Sequence, residues 1–224
     1  MSTFLVTGAN RGIGLAFSRL LQARGERVVA VCRAPSAELE ALAAHGLRME
    51  AGLDLAEEGA PAELVHRLDS LPLDGVILNA GILEVSGLED LDPGDVRRQF
   101  EVNALAPLRL ARALIASMPE GAKLALITSR MGSIADNGSG GYYGYRMSKA
   151  ALNMAGRSLA IDLRPRGIAV AILHPGLVST RMVGFTPQGI SPEHAAQGML
   201  ERIDALSLKS SGSFWHANGE MLPW

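Results

Sequence analysis

Apolar residues follow two alternating rhythms along the chain. Short continuous runs rich in aliphatic residues occur at 3–7 (TFLVT), 27–32 (RVVAVC), 47–53 (LRMEAGL), 75–79 (GVILN), 123–128 (KLALIT) and 168–173 (IAVAIL). Such runs, continuous instead of alternating with polar residues, are the pattern of strands covered on both faces. Between them, segments 13–24, 36–45, 60–70, 94–117, 145–164 and 191–206 carry apolar residues at spacings of three and four, the period of a helix with one buried face. Strand then helix, six times over, predicts a parallel sheet wound by right-handed crossovers, the doubly wound α/β class.

The boundaries of these segments carry their own signals. Ser36, Asp92-Pro93 and Ser191-Pro192 are suited to open helices, and Gly25, Gly46 and Gly167 follow the last periodic residues. No linker, low-complexity tract or internal repeat divides the chain, which reads as one domain over 1–224.

Composition narrows the function classes. With 224 residues, 48% of them hydrophobic, the chain can bury a sizeable core. Its formal net charge of −2 provides no bulk attraction for nucleic acid or an anionic membrane, so neither is an expected partner. Cys32 is the only cysteine, and the histidines at 45, 66, 174, 194 and 216 lack ligand-like spacing, so neither a disulfide nor a metal site is expected and a reducing, cytoplasmic setting is. The opening Met1 to Thr7 has no basic segment before its apolar run and meets Gly8, unlike a signal peptide or a membrane span. The apolar stretch 102–118 is interrupted by Asn103, Pro107, Arg109 and Arg112, as an amphipathic helix would be.

The 25 glycines exceed the usual share of about 7%, and three of them crowd the first strand-to-helix turn. That turn reads Thr7-Gly8-Ala9-Asn10-Arg11-Gly12-Ile13-Gly14, a G-x-x-x-G-x-G spacing. It differs from G-x-G-x-x-G, but it meets the same demand for a tight turn and close backbone approach where a pyrophosphate meets a helix N-terminus. Gly8, Asn10, Arg11, Gly12, Ile13 and Gly14 are therefore candidate cofactor contacts. The second strand ends Val31-Cys32-Arg33, with no carboxylate for the ribose hydroxyl of NAD. Arg33, with Arg11, offers guanidinium groups matched to a 2′-phosphate, so NADP(H) is the expected cofactor, with NAD(H) possible.

Tyr145 and Lys149 stand four apart, one turn of helix, on one face. An ammonium there is expected to pull a phenol down from about 10 toward working pH, making it a proton donor and acceptor for a carbonyl or alcohol. Tyr142 and Tyr143 have no lysine at that spacing.

With these residues in hand, the sequence resembles the short-chain dehydrogenase/reductase family over nearly its whole length. The resemblance rests on the turn 7–14, Asp54-Leu55, Asn79-Ala80-Gly81, Asn103, Ser129, Tyr145 with Lys149, and Pro175-Gly176 with Thr180. It implies a Rossmann-type sheet with a seventh strand near 213–217, in the order 3-2-1-4-5-6-7. It also implies a catalytic set of Asn103, Ser129, Tyr145 and Lys149. Ser129 would orient the substrate oxygen, Tyr145 would protonate it, Lys149 would tune Tyr145 and bond the nicotinamide ribose, and Asn103 would hold a relay water. Asp54, with Leu55, would contact the adenine, and Asn79, Ala80 and Gly81 would fix the strand end below the cofactor. Pro175, Gly176, Val178 and Thr180 would flank the nicotinamide. Ser133 competes with Ser129 for the serine role; Ser129 is preferred because it directly follows a strand. His174 is expected to be structural.

The resemblance further implies a small carbonyl or alcohol substrate and a homodimer or homotetramer, the long helices 94–117 and 145–164 having apolar surface to spare. The segment 181–190 is short for a substrate lid, which predicts an open site lined by Leu83, Met131, Tyr142, Leu177 and Met182. The tail from Gly212 to Trp224 and the stretch 140–153 resemble the C-factor-like branch. A dinucleotide-binding regulatory or signalling protein with incidental catalysis is thus the rival reading; retention of Tyr145 favours the enzyme.

Overall fold

The computed structural model describes residues 1–224. Its strands are β1 (Thr3–Thr7), β2 (Arg27–Val31), β3 (Arg48–Glu50), β4 (Gly75–Leu78), β5 (Lys123–Ile127), β6 (Ala169–His174) and β7 (Phe214–His216). They form one seven-stranded sheet in the order β3-β2-β1-β4-β5-β6-β7, parallel throughout. Strand order reverses between β1 and β4, which opens a crevice at their carboxyl ends, where such sheets bind ligands. In register, Thr7 lies opposite Val31 and Val6 opposite Ile77, so β1, β2 and β4 end nearly level.

The helices are α1 (Gly12–Ala23), α2 (Ala37–Ala44), α3 (Ala60–Leu68), α4 (Pro93–Phe100), α5 (Ala106–Leu114), α6 (Tyr143–Asp162) and α7 (Pro192–Asp204). One face of the sheet buries Phe17 and Leu21 of α1, Leu39 of α2 and Met199 of α7; the other buries Leu64, Leu110, Leu114, Leu152 and Leu159. Two-sided burial explains the continuous apolar strands, since either face of a strand meets helix instead of water. Ser36, Asp92 and Ser191 cap their helices by accepting the N–H of Leu39, Gly94 and His194. No helix is long and apolar enough to cross a membrane.

The expected single helix over 94–117 does not form. Residues Glu101–Leu105 make a π-turn between α4 and α5, in which the Ala106 N–H reaches Glu101 O, and Ile115–Ser117 tightens into a 3₁₀ turn. Pro107 has no N–H to give the carbonyl four residues back, that of Asn103, and its ring would collide with it in a regular helix. The wider turn relieves that conflict and carries Asn103. Two smaller corrections concern boundaries. The third strand is confined to Arg48–Glu50, and α6 begins at Tyr143, two residues early, after Tyr142 at φ +53°. Tyr142 is held there by its N–H to Ser86 O, 2.9 Å.

Candidate active site

The crevice floor is the glycine turn. Gly8 and Gly12 have φ of +64° and +53°, left-handed values that favour glycine. Gly14 is excluded from carrying a side chain by space: a Cβ there would lie 2.2 Å from Gly8 O and 2.8 Å from Asn79 Nδ2. Arg11, the N-cap of α1, makes no side-chain capping bond and no acidic residue occupies the first turn. The helix therefore presents N–H groups and positive dipole to the crevice with no carboxylate of its own to neutralise them.

The remaining walls converge from four loops. Thr7 Oγ1 accepts the N–H groups of Asn79 (2.9 Å) and Ala80 (3.1 Å), and Asn79 Nδ2 returns a bond to Thr7 O (3.0 Å), riveting the ends of β1 and β4 together. A Cβ on Gly12 would meet Thr180 Cγ2 at 3.4 Å, so the loop after β6 reaches the glycine turn. Asn10 spends its amide on Ala34 O (2.8 Å), tying that turn to the end of β2. Arg33 is exposed and pairs with Asp54 at 3.3 Å, while the second oxygen of Asp54 accepts the Ala56 N–H. Ile13 and Leu55 pack partly buried against the core, one on each sheet face. Val178 is buried and pairs with Ile190, closing the base of the short segment 181–190, within which Met182 remains 44% exposed; Leu177, just before it, is 52% exposed.

The candidate proton-transfer residues meet beside this crevice. Tyr145 and Lys149 lie on the buried face of α6, with Lys149 Nζ 5.7 Å from the Tyr145 ring centroid and donating to Ile127 O at 3.0 Å. Ser129, just beyond β5, lies near enough to the phenol to ease its ionisation, yet burial outweighs it and pushes Tyr145 up to about 12. Burial pulls Lys149 down to about 8. The expected lowering of the phenol is thus reversed: desolvation opposes the charged form of each group. Ser133, the competing serine, accepts the Asp136 N–H.

Asn103 is fully buried, and its carboxamide joins two elements: Nδ2 donates to Ile82 O (2.9 Å) and Ser148 Oγ (3.0 Å), and Oδ1 accepts the Ile82 N–H (2.8 Å). Three of its four hydrogen-bonding positions are filled, leaving one lone pair on Oδ1. A Cβ on Gly81 would lie 3.1 Å from that oxygen and 3.6 Å from Lys149 Nζ, so glycine at 81 keeps a small space open beside both atoms. His174 is held neutral, down to about 3, chiefly by burial and then by His216, whose ring meets it edge-on at 4.9 Å. Pro175 and Gly176 follow; Gly176 has φ +88° and approaches the His216 ring.

Thr7 and Ser148 are given no role of their own by the sequence, although both order the site. A hydroxyl at a strand end before a glycine is the signal that marks Thr7. Ser148, between Tyr145 and Lys149, bonds Tyr145 O and Asn103 at once, a role visible only when the π-turn is in place.

The family model described as short chain dehydrogenase matches residues 2–190. The chain is 42% identical to 1-hydroxy-2-glutathionyl-2-methyl-3-butene dehydrogenase of Rhodococcus sp. (strain AD45), with 100% of each covered. It is 46% identical to C-signal of Myxococcus xanthus over 68% of this chain and 93% of that protein. The crystal structure of NADPH-bound carbonyl reductase from chicken fatty liver superposes with a TM-score of 0.91 at 32% identity, covering 100% of this chain and 99% of that one.

Proposed function

Because the chain belongs to the short chain dehydrogenase family of oxidoreductases, we propose that it is an NADPH-preferring reductase of aldehydes or ketones, able to run in reverse on the alcohol. The observation that carries this reading is the buried cluster of Ser129, Tyr145 and Lys149 beside the glycine cradle. That cradle fits a dinucleotide: the Gly14 position has no room for a Cβ, and the α1 N-terminus has no internal anion. Gly8, Gly12, Ile13 and Gly14 would hold the pyrophosphate, with Asn79, Ala80, Gly81 and Thr180 alongside. When bound, the nicotinamide supplies the hydride.

The chain's own residues supply the rest. Ser129 donates to the substrate oxygen and fixes its direction toward Tyr145. Tyr145, kept protonated by burial, gives that oxygen its proton. Lys149, cationic below about pH 8, stabilises the phenolate so formed. The space bounded by Gly81, Asn103 Oδ1 and Lys149 Nζ suits a water that returns the proton. Half-exposed Leu177 and Met182 support a permissive, apolar approach for substrate. Exposed Leu105, Leu108, Met147, Met154 and Ile161 on α5, α6 and the turn before α5 support self-association into a homodimer or homotetramer.

A panel of aldehydes and ketones tests the reading by absorbance of NADPH. Wild type turns over at least one class and uses NADPH in preference to NADH. Arg33→Ala narrows that preference by about tenfold, the loss of one charge-assisted phosphate contact. NADPH binding without turnover on the whole panel sinks the enzyme reading and favours the regulatory one, which the C-signal relative supports. A second expectation concerns pH. Because the cationic form of Lys149 is lost as pH rises through about 8, kcat/KM for reduction stays level from pH 6 to 8 and then falls about tenfold per unit. A profile that climbs above pH 8 contradicts that role for the ammonium.

A further inference from the structure

The segment after β7 turns sharply at Gly219 (φ +94°) and runs back along that strand as a strap. His216 N–H bonds Glu220 O and Leu222 N–H bonds Phe214 O, each at 2.8 Å; Trp215 and Met221 form an antiparallel bridge. Leu222 is buried, and the Trp224 ring stacks on Phe214 with centroids 5.4 Å apart. The strap is thus attached to the sheet edge at several points along its length.

From that anchorage it grips the loop that carries Ser129. Arg130, the next residue, has one guanidinium nitrogen 2.8 Å from Glu220 Oε1 on the strap and another 2.9 Å from Asp136 Oδ2 on its own loop. Five residues further on, the Ala135 N–H donates to Trp224 O at 2.8 Å. Between these two grips the loop makes one 3₁₀ turn, Arg130–Gly132, capped by Ser129 Oγ accepting the Met131 N–H. Its other side is pressed on α6, where a Cβ on Gly132 would lie 2.7 Å from the Lys149 carbonyl carbon. The loop is therefore held between the Tyr145 helix and the strap, with the Ser129 hydroxyl at the junction.

We infer that Glu220 is a positioning residue for Ser129, acting through Arg130 to set the hydroxyl against the Tyr145 phenol. The inference rests on the proposed role of Ser129 in orienting the substrate oxygen. Glu220 and Arg130 are each about half exposed (50% and 41%), so their pair does little for global stability. Orientation is more sensitive, because a displacement of one ångström at a reacting group changes rate far more than it changes folding.

A double-mutant cycle on the full chain tests this, with kcat, KM for NADPH, NADPH affinity and Tm read for each variant. Glu220→Ala is expected to lower kcat about tenfold while KM and affinity for NADPH stay at wild-type values. Glu220→Gln, which keeps an acceptor oxygen for Arg130, recovers most of that loss. Added to Ser129→Ala, Glu220→Ala has no further effect, since there is no hydroxyl left to position. Wild-type kcat in Glu220→Ala overturns the inference, as does an equal loss in both backgrounds, and neither touches the role of Ser129. Wild-type kcat in Ser129→Ala overturns that role and the inference with it. If Glu220→Ala melts early, kcat is compared well below its transition.

Discussion

Tyr145→Phe is expected to lower kcat for carbonyl reduction about 10³-fold while leaving the NADPH dissociation constant within about twofold of wild type, the range of a lost general acid. The substitution removes one oxygen and keeps the ring, which is buried on α6 beside the ammonium of Lys149. Packing of the helix on the sheet therefore survives. What disappears is the phenol paired with Lys149. Tyr142 is more than a third exposed at its left-handed bend, and Tyr143 lies with Leu91, Val96 and Met147 on the far side of α6. Neither can replace it. Steady-state turnover and fluorescence titration with NADPH together check the result. Turnover within tenfold of wild type would move the proton donor to another group.

Gly14→Ala is expected to weaken NADPH binding by about 100-fold and to lower Tm by several degrees, as overpacking against backbone commonly destabilises by about 1–3 kcal/mol. A methyl at that position would sit 2.2 Å from the Gly8 carbonyl oxygen, and backbone cannot rotate aside as a flexible side chain can. Either α1 slides away or the glycine turn opens, and both alter the N–H groups offered to a pyrophosphate. Gly59→Ala is the matched control: its φ is −77° and a Cβ there meets nothing within 4 Å. Equilibrium titration and thermal melts of the two variants check this. Unchanged NADPH affinity in Gly14→Ala would show that the turn does not cradle the cofactor.

These expectations differ in how much of them could be read before folding. Six strands and most helices were legible because burial on both faces leaves continuous apolar runs, and helix ends leave caps. Ser36, Asp92 and Ser191 all cap as their residue types predict. The helix over 94–117 was not legible as broken, because its apolar period continues across the π-turn; only Pro107, read against the carbonyl of Asn103, marks the interruption. The glycines at 8, 12 and 14 were visible, but the reason for the last, a contact with Gly8 and Asn79, joins residues up to 65 positions apart.

The site divides along the same line. Local spacing determined by itself that Tyr145 and Lys149 share a helix face, that a glycine turn follows the first strand, and that Arg33 follows the second, since periodicity and turn chemistry act over a few residues. Tertiary structure alone decided that Asn103 bonds Ile82 and Ser148, and that Glu220 reaches Arg130 from 90 residues away. It also decided the direction in which Tyr145 and Lys149 shift: sequence places a cation near a phenol, but whether attraction or loss of water dominates depends on how deeply the fold buries them.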